Sequence, residues 1–175
     1  EGGIPPTATI ETVVDSDIEA FIPDDYIESD TERVDIYRRL YRATSENELQ
    51  TIRDELQDRF GEYPEEVEYL FQLIAVRYAA SRIGFRKISL KSLALTIVLP
   101  DESNNQFYGS VADTDAPFQS IMKNISSGLL KGVSLKQVAN ELQLQFTTDT
   151  VGKPKERLAH AMATLAQLCS IVDCR

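Results

Sequence analysis

Residues 83–99, IGFRKISLKSLALTIVL, mark the point at which the periodicity of the chain changes. Leu93, Leu95, Ile97 and Leu99 alternate with Ala94, Thr96 and Val98, the period of a half-buried strand, and Ile88-Ser89-Leu90 before them predicts a hairpin partner. Upstream of Ile83 the period is helical. Ser29 with Glu32, and again Ser45 with Glu48, form capping-box patterns. The first is followed by Ile36, Tyr37, Leu40 and Tyr41, which predicts a helix over 30–43; the second by Leu49, Ile52, Leu56 and Phe60, which share one stripe. Gly61 supplies the left-handed residue that closes the second helix, and Pro64 with Glu65 and Glu66 suits the first turn of a third. Val67, Leu70, Phe71, Ile74 and Tyr78 carry that helix to about residue 82.

Working outward, Ile10, Thr12 and Val14 alternate in a β-branched run and predict an N-terminal strand, preceded by a Gly- and Pro-rich linker at 1–8. The Pro23-Asp24-Asp25 turn is flanked by apolar anchors, Phe21-Ile22 and Tyr26-Ile27. After the hairpin, the polar stretch 101–113 has room for a short strand at 107–111. Asp115 before Pro117 predicts a helix start, with Phe118, Ile121, Met122 and Ile125 buried and Gly128 as the stop. Leu142, Leu144 and Phe146 predict a further strand, with one or two expected before the last helix. That helix opens at Pro154 and turns Leu158, Met162, Leu165, Cys169 and Val172 inward. The expected fold is α+β: an N-terminal strand and three-helix segment, then a small, mainly antiparallel sheet with two further helices. It is expected as a single domain over 9–175, helical over about 29–82 and built of sheet and helix over about 83–175.

Composition narrows the function. A chain of 175 residues with 42% hydrophobic and 26% charged residues is globular in composition, and it holds no apolar run near the ~20 residues that cross a bilayer. Neither a signal peptide nor an initiating Met opens the chain, so Glu1-Gly2-Gly3 predicts a piece of a longer protein. The net charge of −10 is uneven: residues 1–32 hold ten of the 28 acids and no base, leaving 18 acids against 18 bases beyond. An acidic arm on a neutral body repels phosphate backbones, so direct nucleic-acid binding is not expected. Cys169, Cys174 and His160 do not make a zinc set, and the thiols read as reduced residues of a cytoplasmic protein.

The sequence carries no phosphate-cradling Gly-rich loop, no G-x-S-x-G and no H-E-x-x-H. His160 lies one residue off an apolar stripe and reads as structural, and Met122 and Met162 read as core. Acidic pairs such as Asp24-Asp25 and Glu65-Glu66 read as solvated turns and helix starts. A small enzyme using the carboxylates at 24–25 and 28–32, with a hard cation such as Mg²⁺, is the catalytic alternative. A generic acidic adaptor is the other, and a nucleic-acid adaptor would require salt-dependent binding.

The run IRDELQDRFGEYPEEV, 52–67, holds more than a helix stop and restart. Phe60, Gly61 and Pro64 account for the turn but leave Glu55, Asp58 and Arg59 unexplained. Glu55 and Arg59 stand four apart with the acid first, a surface pair worth ~0.2–0.5 kcal/mol. Asp58 near a helix C-terminus opposes the helix dipole, at a cost of up to ~1 kcal/mol. Acid, acid and Arg within about a turn make a charge-complementary docking patch.

FIPDDYI (21–27), R-x-x-x-Y-R-R-L from Arg33 to Leu40, ENEL (46–49), DELQDRFGEYP (54–64) and IGFRKI (83–88), in this order, resemble the C-terminal domain of the bacterial transcription-repair coupling factor, Mfd. The resemblance is strong over about 10–90. It implies a non-catalytic regulatory domain of a large DNA translocase that acts in transcription-coupled repair, releasing stalled RNA polymerase and recruiting excision repair through UvrA. It further implies that this domain docks on the factor's own N-terminal UvrB-like module, masks the UvrA-binding surface and keeps the factor autoinhibited. Glu55, Asp58 and Arg59 match the family's contact residues. No cofactor is expected in this chain, because the resemblance assigns ATP and Mg²⁺ to motor modules that it lacks; polymerase, UvrA and DNA are reached only through the whole protein.

Overall fold

The computed structural model describes residues 11–91, 94–110, 112–147 and 153–173. The expected linker at 1–8, Ile10, Leu93, Val111 and Cys174 therefore lie outside the described residues. In chain order the elements are β1 (Val13–Ser16), α1 (Asp30–Arg42), α2 (Glu46–Phe60), α3 (Glu65–Ile83), β2 (Lys87–Lys91), β3 (Ala94–Val98), α4 (Asn105–Tyr108), α5 (Pro117–Ser126), β4 (Val133–Val138), β5 (Glu141–Thr147) and α6 (Pro154–Val172). The fold is α+β, as the sequence predicts.

Local chemistry sets the helix ends. The Ser29 hydroxyl accepts from the Glu32 backbone N–H and the Ser45 hydroxyl from that of Glu48, while the Glu48 carboxylate reaches back to the Thr44 N–H at 2.8 Å. Gly61 follows α2 at φ +82°, a positive φ with an extended ψ of −164°, and Pro64 precedes the third helix as its N-cap instead of its first turn. Gly84 ends α3 in the left-handed conformation, with its N–H on the Ser81 carbonyl and the Phe85 N–H on that of Ala80, the paired bonds of a Schellman motif.

The sheet runs β1-β2-β3-β5-β4. Among the described strands β1–β2 pair in parallel, and β2–β3, β3–β5 and β5–β4 are antiparallel. The N-terminal strand thus belongs to the same sheet and begins at Val13. Thr12, assigned to it from the alternation, precedes it with a buried side chain whose hydroxyl donates to the Phe85 carbonyl at 2.7 Å. Ile88 lies opposite Ile97, which lies opposite Leu144, and all three are fully buried. The neighbouring register of Ser89, Thr96 and Gln145 places polar side chains on the other face.

Three details differ from the sequence reading. At 107–111 there is no strand up to Tyr108: the Asn104 side chain accepts from the Phe107 N–H and caps the single turn α4, which drives Phe107 into the core. Asp115 does not cap α5; its N–H is taken by Asp113 Oδ1, and Ala116 is the N-cap. β4 carries no alternation strong enough to place it from sequence, because it is an edge strand with most of its residues exposed on both faces.

The buried side chains form two clusters. One joins the sheet to α5, α6 and the C-terminal half of α3 through Val76, Ala80 and Ile83. The other joins α1, α2 and the 22–27 segment to the N-terminal half of α3 through Val67 and Phe71. α3 therefore belongs to both cores and fixes the first relative to the second. Phe71 is fully buried and lies beneath the Arg53 guanidinium at 4.7 Å. Phe71→Ala is expected to lower the stability of the chain by about 3–5 kcal/mol, whereas Leu135→Ala on the exposed edge strand stays within about 0.5 kcal/mol. Urea midpoints for the two variants check this contrast.

Candidate functional site

The proposed patch sits where the FIPDDYI turn meets the end of α2. The Tyr26 and Ile27 N–H groups both bond the Pro23 carbonyl and close the turn. The Ile22 N–H is accepted by Tyr37 Oη at 2.7 Å, and the Arg33 guanidinium donates to the Ile27 carbonyl at 2.5 Å, which ties the turn to α1. Tyr26 then reaches α2. Its hydroxyl lies 3.2 Å from the Leu56 carbonyl and 3.0 Å from that of Gly61, and its ring meets Phe60 edge-on at 5.9 Å. Burial pushes the Tyr26 phenol above its ordinary pKa. Two sequence motifs that look independent, 21–27 and 54–64, are one structural unit.

On that frame Glu55 is clamped. Both arms of the Arg39 guanidinium bind its carboxylate, at 3.0 and 2.5 Å, and Arg59 binds it at 3.0 Å. Arg59 also pairs with Glu32 and stacks over Phe60 at 4.8 Å. The four charges alternate between helices, Glu32 and Arg39 from α1 and Glu55 and Arg59 from α2, so they hold the pair together. The Arg39 hydrogen bonds, followed by those of Arg59, hold Glu55 down to about 2. The fork-to-fork geometry of Arg39 on Glu55 is the strongest form of such a contact.

Asp58 is different. It is exposed, and among the described residues no hydrogen bond or ion pair engages it. The structure therefore brings the three residues singled out in the sequence to one turn but divides their roles: Glu55 and Arg59 are held by α1, and Asp58 projects alone. Arg39 and Glu32 were missed in sequence, since nothing in α1 reveals which residue of α2 it faces. Of the acids at 28–32, Asp30 pairs with Arg33 and Glu32 with Arg59, and no group of three metal-ligating side chains occurs among the described residues. His160 is half-buried on α6, and Met122 and Met162 pack against the sheet core. None of the described helices is long and apolar enough to cross a membrane.

Comparison with known proteins agrees with this architecture. The fold matches a crystal structure of the C-terminal domain of a transcription-repair coupling factor with a TM-score of 0.71, over 93% of this chain and 94% of that one, at 20% identity. It is thus the α+β fold of that class of domain. Residues 16–110 match the model of the TRCF domain, and the chain belongs to the TRCF domain family, that of the transcription-repair coupling factors. The transcription-repair-coupling factor of Bacillus subtilis is 30% identical over 109 residues, covering 62% of this chain and 9% of the relative. That of Staphylococcus epidermidis is 31% identical over 96 residues, 55% of this chain and 8% of the relative. The chain thus spans less than a tenth of the length of these relatives.

The clamp has a pH signature. The Glu55 carboxyl lies below its ordinary value of 4.5 in the folded chain, so its stabilising effect is complete above about pH 4.5 and is lost as pH falls toward 2. With the carboxylate partly exposed to solvent, the share lost is about 1–2 kcal/mol. Glu55→Gln is expected to lower the thermal midpoint at neutral pH and to flatten its fall between about pH 4.5 and 2; melting curves across that range check both.

Proposed function

We propose that this domain is a non-catalytic regulatory module of a transcription-repair coupling factor, a translocase acting in transcription-coupled DNA repair. It docks through the end of α2 on the factor's N-terminal UvrB-like module, masks the surface that binds UvrA and holds the factor autoinhibited until polymerase engagement rearranges it. The observation that carries this reading is Asp58: a lone, exposed carboxylate on the last turn of a helix, where the dipole disfavours it, beside a clamped Glu55–Arg59 pair. A residue set against its own helix is explained by a partner that supplies the missing cation. Membership in the TRCF domain family supports the assignment.

The clamp explains how such a patch acts. Glu55 and Arg59 are already fixed in position, so docking orders few side chains, and an incoming base meets a preorganised surface. Complementary charge chiefly sets specificity and encounter rate, while removal of one member of a desolvated pair costs ~2–5 kcal/mol. Because the contact is intramolecular, effective concentration lets a weak contact in trans act as a firm latch in cis. A closed state favoured by a few kcal/mol suffices, and a ligand that prefers the open state overturns it.

The test mixes this chain with the isolated UvrB-like module and compares Asp58→Ala with the triple change Glu55→Ala/Asp58→Ala/Arg59→Ala. Asp58→Ala is expected to weaken binding about tenfold or more and to leave the melting midpoint at, or up to about 4 °C above, that of the parent, because it removes no internal contact and relieves the opposition to the helix dipole. The triple variant is expected to lose both binding and some stability. Equal binding by all three versions would overturn the patch.

A further inference from the structure

Six arginines of the described chain each hold a carboxylate: Arg33, Arg39, Arg53, Arg59, Arg86 and Arg157. In a protein with ten more acids than bases this is the ordinary outcome. Arg38, Arg42 and Arg77 have no carboxylate partner in any of these pairs, and of the three Arg42 and Arg77 line the same cavity. That cavity, about 470 Å³, opens between the end of α1, the C-terminal half of α3 and the start of β1, away from the Asp58 turn. Arg82 lines it as well, stacked at 6.0 Å over Tyr78, another lining residue.

The arrangement is built rather than incidental. The Arg77 guanidinium lies over the Tyr41 ring, 4.1 Å from its centre, and donates to the Tyr41 carbonyl. That bond answers one of the unsatisfied carbonyls at the end of α1 and offsets the negative end of the helix dipole, which otherwise repels an anion. Among the described residues Glu11 is the one acid lining the cavity, and the Tyr41 hydroxyl donates to it at 3.0 Å. Tyr41 is 55% exposed despite its size. The cavity thus offers the Arg77 guanidinium, held by the Tyr41 ring and carbonyl, and the exposed Arg42, beside an accessible aromatic side chain.

We propose that this groove is a docking site for a short acidic segment of a protein partner, with carboxylates on Arg42 and Arg77 and an aromatic or apolar side chain against Tyr41. Planar guanidinium groups suit carboxylates bidentately, and the stacked tyrosine suits an apolar neighbour between two acids. The cavity has space for a few side chains, and the net charge of −10 disfavours the long polyanion of a nucleic acid. The site is independent of the α2 patch, and its test uses neither Glu55, Asp58 nor Arg59.

The probe is a fluorescein-labelled Glu-Tyr-Glu-Tyr-Glu peptide titrated into the full chain at low and moderate salt, with amide shifts recorded by NMR. Binding is expected to weaken as salt rises and to move the amides of Tyr41, Arg42, Arg77 and Tyr78. Arg42→Glu is expected to weaken it at least tenfold and Arg42→Ala several-fold. Arg38→Glu, an equal charge reversal at an exposed α1 position outside the groove, is expected to change it less than twofold. Absence of binding, equal losses in Arg42→Glu and Arg38→Glu, or tighter binding of a short oligothymidylate to the same residues would each overturn the proposal.

Discussion

The burial of α3 on opposite ends by two cores is the constraint on which the other elements depend. Its first half gives Val67 and Phe71 to the cluster with α1 and α2, and its second half gives Val76, Ala80 and Ile83 to the sheet and α6. A helix buried along most of its length cannot shift along its axis without opening one cluster or the other, since cores are packed to crystal-like density. The end of α2, the FIPDDYI turn and the groove beside Tyr41 all take their positions from that helix. The Schellman turn at Gly84 then aims the chain from α3 directly into β2.

The electrostatics are layered on this frame. Between α1 and α2 the network alternates in sign and helix, so that Glu32 and Glu55 each meet a guanidinium. Arg53 and Glu68 repeat the device between α2 and α3, with Tyr63 and Gln72 sharing the Glu68 carboxylate. Individual exposed pairs contribute little, but a fork-to-fork contact within a network holds two helices in register at a defined rotation. Beside these pairs stand helix charges that no ion pair of the described residues takes up, among them Asp58 on one side and Arg42 and Arg77 on another.

Much of the fold was legible because its signals are local. Ser29 and Ser45 cap the helices they announce, and the alternation at Leu95, Ile97 and Leu144 gives strands with those residues inside. The turn α4 was not legible, because Phe107 and Tyr108 are aromatic residues of the strand-forming kind and only the Asn104 cap reveals a helical turn. β4 was hidden by its exposure, which removes the apolar alternation by which strands are recognised. At the site, the oddity of Asp58 could be read from its place on the helix, but the engagement of Glu55 by Arg39 spans sixteen residues and exists only once α1 and α2 are docked.

The parallel pairing of β1 with β2 has a consequence for how the chain assembles. The strands are neighbours in the sheet, yet the whole helical cluster lies between them in sequence, and the buried Thr12–Phe85 hydrogen bond closes a separation of 73 residues. Closing so long a loop before its interior has condensed is entropically unfavourable, whereas the β2–β3 hairpin and the helical cluster each form from nearer contacts. Contact order therefore favours completing this sheet edge after α1, α2 and α3 have brought their two ends together. β1 acts as a seam: its closure records that the helical cluster and the sheet have both formed around the same helix.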